Sequence, residues 1–234
     1  MKTSDVVIFD LDDTLYFEKK YVESGYRNIA NICAEFLKKP DQDFYSLLME
    51  VFSSERRGKE FNVLLDKYPA LKQEFSVEKL IEIYRKHEPE IDLNAGARDL
   101  FEQLLKDGVR LGLITDGFFV SQKNKIKALS LDNWFTKIIA TDFFGKDYWK
   151  PDSRSFSMLE EEFGKNDNAR YWYIGDNPEK DFIAPNLKGW NTVRYRNPEQ
   201  IRFSLNPPSQ LHESKYEADS YTNIFKLISN NYDY

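Results

Sequence analysis

The sequence predicts an α/β protein, a three-layer parallel sheet with a small helical domain inserted near its start. Three observations predict it. From about residue 91 onward, short apolar runs that end in polar or glycine-bearing turns alternate with amphipathic stretches. Alternation of this kind builds right-handed crossovers and a parallel sheet. Residues 17–90 differ in texture, with helical spacing and no strand alternation. The chain of 234 residues, 41% hydrophobic and 31% charged, is long enough for a large core plus a smaller insertion. The expected division is therefore 1–16 with 91–234 for the sheet domain, and 17–90 for the helical one.

The first strand is the apolar run Val6-Val7-Ile8-Phe9, continuous as suits a strand buried on both faces. In the insertion, Ile29, Ile32, Cys33, Phe36 and Leu37 mark one helical face, broken by Lys39-Pro40-Asp41. Phe44, Leu47, Leu48, Val51 and Phe52 mark a second, followed by a charged loop over 53–59. Val63 and Leu64 belong to a third that stops near Tyr68-Pro69, and Val77, Leu80, Ile81 and Tyr84 to a fourth that ends before Pro89. Ala95-Gly96-Ala97 opens the next helix, which Asp107-Gly108 closes as a glycine C-cap. Strands are expected over 110–115, 137–141, 170–175 and 190–195, with helices over 121–130 and 155–163. Residues 197–209 carry three prolines and predict an irregular surface segment; 221–228 predict a terminal helix, and 230–234 a frayed end.

Composition narrows the function classes. A net charge of −6 and a pI near 5.2 argue against nucleic acid and anionic membrane surfaces as partners. A local metal site would still attract phosphorylated small molecules. Cys33 is the only cysteine, so neither an intrachain disulfide nor a thiolate cluster is available, and a small buried hydrophobe is expected there. The run at Val6–Phe9 is too short for a signal-peptide core, and no apolar run nears the roughly 20 residues of a bilayer span. A cytoplasmic protein is expected. His87 and His212 lack zinc spacing, no G-x-S-x-G elbow occurs, and no flavin, nicotinamide or haem motif is present.

The chemistry concentrates where strands end. Asp10, Asp12 and Asp13 follow the first strand at its carboxyl end, where open α/β sheets bind ligands. Carboxylates this close repel, so a cation or a shared proton must relieve them. Their oxygens suit a hard ion such as magnesium. Thr115-Asp116-Gly117 offers a hydroxyl and backbone N–H groups to an anion. Lys150-Pro151-Asp152 places an ammonium near the acids, and Pro151 restricts Lys150 to extended geometry and starts a helix. Lys146 is the other lysine candidate. Gly175-Asp176 with Asp181 puts two acids on one turn, although Asp181 also suits an N-cap of the following helix. Taken singly, each stretch is equally a turn, a cap or a solvated lysine.

Together and in this order, the four stretches resemble the motifs of the haloacid dehalogenase-like (HAD) hydrolase superfamily. Asp10-Leu11-Asp12-Asp13-Thr14 matches its DxDxT signature, Thr115 its second motif, Lys150-Pro151 its third, and Gly175 to Asp181 its GDxxxxD. The resemblance covers about residues 5–195, with the helical insertion where a C1-type cap would fall. It implies a Rossmann-like core and a magnesium cofactor. It implies that Asp10 attacks phosphorus to form an aspartyl-phosphate, and that Asp12 serves as general acid–base with a raised pKa. Asp10, Asp12 (through its backbone carbonyl) and Asp176 would hold magnesium. Thr115, Asp116 and Lys150 would hold the phosphoryl group, with Asp181 in support. Asp13 is expected as a solvated turn residue and Thr14 as a support for the loop. The stretch 181–186 departs from the small-residue helix start of many relatives, with Pro185 expected in that helix's first turn.

The function so implied is a magnesium-dependent phosphatase for a small phosphate ester, either a sugar phosphate or a nucleoside monophosphate. A phosphomutase and a non-catalytic domain that binds a phosphometabolite or a partner are the alternatives. Asp12 argues against dehalogenation, since a halide leaving group needs no acid. Glu18, Lys19, Tyr21, Arg56, Arg57 and Lys59 are candidates for substrate choice, whereas Tyr16, Phe17, Tyr45, Phe52 and Phe61 are expected to form the insertion's own core. Oligomeric state has no signature in the sequence.

Overall fold

The structure is a computed structural model that describes residues 5–164 and 169–230. The chain forms two compact units, one of Met1–Glu18 with Asp92–Tyr234 and one of Lys19–Ile91. The first unit holds a six-stranded sheet in the order β3-β2-β1-β4-β5-β6. Its strands are β1 (Val6–Phe9), β2 (Arg110–Thr115), β3 (Lys137–Ala140), β4 (Tyr171–Gly175), β5 (Asn191–Tyr195) and β6 (Tyr216–Ala218), and every neighbouring pair is parallel. Helices α5 (Ala97–Lys106), α6 (Phe119–Ala128), α7 (Arg154–Phe163), α8 (Ile183–Leu187) and α9 (Tyr221–Asn230) complete this unit. The α/β fold class is the one that the alternation predicts.

β1 lies between β2 and β4, and all four of its residues are buried. Period-2 alternation sends them to opposite layers. Val6 and Ile8 join Phe156, Leu159 and Phe163 of α7, whereas the ring of Phe9 meets Phe101 of α5 at 5.6 Å and Phe135 at 6.0 Å. In register, Phe9 stands opposite Leu113 of β2 and Ile174 of β4, and the Asp10 N–H donates to the Ile174 carbonyl at 2.8 Å. The residues that follow β1, β2 and β4 therefore emerge together at one end of the sheet.

Three local expectations need correction. β6 has no counterpart among the expected strands; it is three residues long, partly exposed and at the sheet edge, so it lacks the apolar run that marks a buried strand. α7 begins at Arg154 rather than at Pro151, after a turn in which the Asp152 carboxylate accepts from the Arg154 N–H at 2.9 Å. The Lys150–Pro151 peptide is cis. Asp181 does not cap α8, whose N-cap position is Phe182, although Pro185 does fall in its first turn. Asn230 closes α9, and residues 231–234 lie outside the described residues.

The second unit is built from α1 (Glu18–Leu37), α2 (Asp41–Phe52), α3 (Glu60–Lys67) and α4 (Val77–Lys86). Its core gathers Tyr26, Ile29, Cys33, Phe44, Leu48, Val51, Phe61, Leu64 and Leu80, and Cys33 is buried as a small hydrophobe. Gly25 allows the close approach within it, since a Cβ there would run into the Tyr84 ring. No helix among the described residues is long and apolar enough to cross a membrane.

Candidate active site

The strand ends deliver Asp10 from β1, Thr115 from β2 and Asp176 from β4, all buried. Asp181 returns to them across a tight turn, where its Oδ2 accepts from the Asn177 N–H at 2.8 Å. Gly175 makes that return possible, because a Cβ there would lie 2.6 Å from Asp181 Oδ2. Lys150 enters the same space with its ammonium fully buried. Its three hydrogens have three oxygen partners: the Asp10 carboxylate, Asp181 Oδ1 at 2.8 Å and the Tyr173 hydroxyl at 2.9 Å.

Burial would strip the proton from Lys150, but Asp10, Asp181, Tyr173 and Asp116 outweigh it and hold the ammonium well above its ordinary pKa. Burial pushes Asp10 up to about 7, opposed by Lys150 and assisted by Asp181. Asp176 is raised well above the usual carboxylate range by burial, then by Asp181 and Asp10. Lys150 pairs with Asp10 and Asp181 but not with Asp176, and a buried carboxylate left outside that pairing calls for a cation. Asp10, Asp176 and Asp181 each place an oxygen within 4.8 Å of the others. Asp176 Oδ2 is buried with no hydrogen-bond partner among the described residues. An all-oxygen donor set with an orphaned carboxylate oxygen fits a hard divalent ion.

Asp12 is organised separately. Its Oδ1 accepts from Lys125 Nζ at 2.6 Å and from the Tyr16 hydroxyl, and its Oδ2 accepts from Gln122 Nε2 at 2.8 Å. Burial raises its pKa, yet Lys125, with the hydrogen bonds from Lys125, Tyr16 and Gln122, outweighs burial and sets it below the ordinary value. The expected upward shift of Asp12 is therefore corrected: the donors around it favour the carboxylate.

The sequence profile of the family described as haloacid dehalogenase-like hydrolase matches residues 7–194. The chain belongs to the haloacid dehalogenase-like hydrolases. Similar proteins include the glyceraldehyde 3-phosphate phosphatase of Pyrococcus abyssi, 30% identical over 82% of this chain and 81% of that one. The glyceraldehyde 3-phosphate phosphatase of Methanopyrus kandleri is 27% identical over 81% of this chain and 83% of that one. Among solved structures, a HAD phosphatase from Thermococcus onnurineus superposes with a TM-score of 0.59 at 18% identity, covering 96% of this chain and 97% of that one. That last likeness is one of fold.

Within this HAD hydrolase, the structure brings Asp10, Asp176, Asp181 and Lys150 together, and it joins Thr115 to Asp12 through Gln122, whose Nε2 lies 2.5 Å from Thr115 Oγ1 and 2.8 Å from Asp12 Oδ2. Lys146 is elsewhere, with its ammonium 5.5 Å from the centre of the Phe118 ring. The Asp116 carboxylate is taken up by donors of the protein itself. Its Oδ1 accepts from the Thr141 hydroxyl at 2.9 Å and the Lys150 N–H at 3.2 Å, and its Oδ2 accepts from Lys180 Nζ at 2.9 Å. Burial raises its pKa, but Lys150 and Lys180 prevail and hold it below the ordinary range, so an anion would meet only its backbone.

Asp13 is not a solvated turn residue either. It is fully buried at φ 57°, and its carboxylate accepts from the N–H groups of Glu18 at 2.7 Å and Ile201 at 2.8 Å. Thr14 supports the loop through its carbonyl, which accepts from the Tyr221 hydroxyl at 2.6 Å. Of the candidates for substrate choice, Glu18 pairs with Arg202 at 2.9 Å, Lys19 with Glu23 at 4.0 Å, and Arg57 lies over the Phe52 ring at 4.2 Å. Tyr21 is buried against Tyr84 and His87. Tyr16 and Phe17, expected in the core of the insertion, lie in the first unit. Sequence reasoning missed Gln122, Lys125, Tyr173 and Lys180. The available signal was a polar pair three apart on the helix that follows Thr115-Asp116-Gly117, at positions that an amphipathic helix fills with apolar residues.

Proposed function

We propose that this HAD hydrolase is a magnesium-dependent phosphatase that hydrolyses small phosphate esters, sugar phosphates foremost, through an aspartyl-phosphate on Asp10. The observation that carries the reading is the pairing of two differently held carboxylates two residues apart: Asp10 against buried Lys150, and Asp12 among Lys125, Gln122 and Tyr16. A phosphatase needs such a division, one carboxylate to attack and another to move the proton.

Asp10 attacks phosphorus, the bond to the ester oxygen breaks, and Asp12 gives that oxygen a proton. A water then attacks the aspartyl-phosphate, Asp12 takes the water's proton, and phosphate leaves with Asp10 restored. Asp12 rests as a carboxylate, the form required for the second step; for the first it takes a proton from solvent as the approaching phosphate dianion raises its proton affinity, and the proton it takes from water in the second step replaces the one it gave. Thr115 and Lys150 orient the phosphoryl oxygens, and Lys150 offsets the charge that gathers on them. Asp10, Asp176 and the Asp12 backbone carbonyl would hold magnesium with Asp181 behind them, and the ion, when bound, supplies further neutralisation of phosphoryl charge.

The phosphoric monoester as the bond cleaved, and a sugar phosphate as its carrier, are supported by the phosphatases that this chain resembles along four fifths of its length. We assign Lys19–Ile91 as a C1-type cap that selects the substrate, from its own hydrophobic core and its place in the chain between β1 and β2. A cytoplasmic location fits the single reduced, buried Cys33. The test is phosphate release from a panel of sugar phosphates, nucleoside monophosphates and an aryl phosphate, with magnesium and with chelator. Release that requires magnesium and ranks a sugar phosphate first is expected. Transfer of phosphate between positions of one sugar, without release, would favour a mutase instead.

A further inference from the structure

We propose that Gln122 and Lys125 are positioning residues for Asp12, holding its carboxylate at one place beside the phosphoryl-binding turn. The proposal rests on the reading of Asp12 as the acid–base and deepens it. Both residues project from α6 one helical turn apart, so a single rigid face presents them. Lys125 is buried, which is rare for a lysine without a partner, and its ammonium meets Asp12 Oδ1 at 2.6 Å. Lys150, a different residue from a different loop, carries the ion pair to Asp10. The two lysines thus serve the two carboxylates separately.

Gln122 makes the arrangement specific. It is 1% exposed, and its single Nε2 lies 2.8 Å from Asp12 Oδ2, 2.5 Å from Thr115 Oγ1 and 2.8 Å from the Asp116 carbonyl. Two amide hydrogens are shared among three oxygens, one on the acid–base and two on the turn that receives the phosphoryl group. Asp12 and that turn are therefore fixed relative to each other by one side chain. An aspartate without such donors turns freely about two bonds, and misplacement by about 1 Å lowers a rate on the order of 10²-fold. Neither Gln122 nor Lys125 has to touch the substrate for this role.

Leaving-group dependence tests it, because only a poor leaving group needs the proton from Asp12. The full-length enzyme with magnesium would be assayed for kcat/KM on a sugar phosphate and on 4-nitrophenyl phosphate, whose phenolate departs unaided. For Lys125→Met the sugar phosphate value is expected to fall on the order of 10²-fold and the aryl phosphate value by far less. Lys125→Arg, which keeps the charge and the donors, should recover much of the loss. Circular dichroism checks folding; should Lys125→Met not fold, Lys125→Gln carries the same comparison, and Gln122→Met should shift the ratio in the same direction. Equal losses on both esters, or no loss on either, would overturn the positioning role alone. A wild type inert towards both esters would overturn the hydrolase reading and this role with it.

Discussion

Lys150 balances the site's charge, and its removal has a calculable sign. Lys150→Met would leave Asp10 and Asp181 buried without their ammonium, a change that typically destabilises by about 3–5 kcal/mol. Urea unfolding without metal should show that loss, and millimolar magnesium should restore part of it by occupying the same carboxylates. Unchanged stability would mean that the carboxylates are not charged together. Cys33 makes a second residue-scale prediction. Burial pushes its thiol up to about 11, so iodoacetamide at pH 8 should label it slowly in the native protein and rapidly in urea. Asp10, Thr115, Lys150 and Asp176 were legible in the sequence because each stands beside the end of an apolar run or a proline. The state of Asp12, Asp13 and Asp116 was not, because it depends on distant donors. Lys125 lies 113 residues from Asp12 and Ile201 lies 188 from Asp13, and spacing carries no record of either pairing.

The turn from β4 into α8 shows what an element contributes. It closes only because Gly175 has no Cβ, so Gly175→Ala should displace Asp181 while β4 keeps its place between β1 and β5. The magnesium needed for half-maximal activity is expected to rise about 10-fold or more, with the circular dichroism spectrum unchanged. An unaltered metal requirement would remove Asp181 from the site. β1, β2 and β4 were legible as elements because burial on both faces gives them continuous apolar sequence. β6 was not, since Tyr216-Glu217-Ala218 pairs along one edge only and a three-residue strand with an exposed middle has no readable period. The start of α6 at Phe119 was likewise obscured, because its buried face carries Ser121, Gln122 and Lys125 where a helix usually shows apolar residues.

At the scale of the molecule, the chain leaves the sheet unit after Glu18 and returns at Asp92, and the Asn94 N–H donates to the Leu15 carbonyl at 2.8 Å. The two connections therefore start side by side, as suits an inserted domain. Replacement of 19–91 by a short Gly-Ser linker should leave a sheet unit that unfolds cooperatively. It should still hydrolyse an aryl phosphate slowly, with its ranking among sugar phosphates flattened. A linker variant that keeps the full substrate ranking would remove the helical unit from substrate choice. The α/β class was legible because alternating texture is a global property that survives errors at single boundaries. The role proposed for the helical unit in substrate choice is not legible in this way, because a charged or aromatic residue read from sequence can as well be engaged within its own unit, as Tyr21 and Arg57 are.

Trapping the covalent intermediate tests the role of Asp10 at the reacting bond. Enzyme mixed with magnesium and its best sugar phosphate would be quenched during turnover and treated with borohydride, which reduces an acyl phosphate to the alcohol. Peptide mass spectrometry should then find homoserine at position 10, and none in the Asp10→Asn protein. Phosphate release with position 10 unreduced, or with the reduced residue elsewhere, would contradict the assignment of Asp10 as the nucleophile.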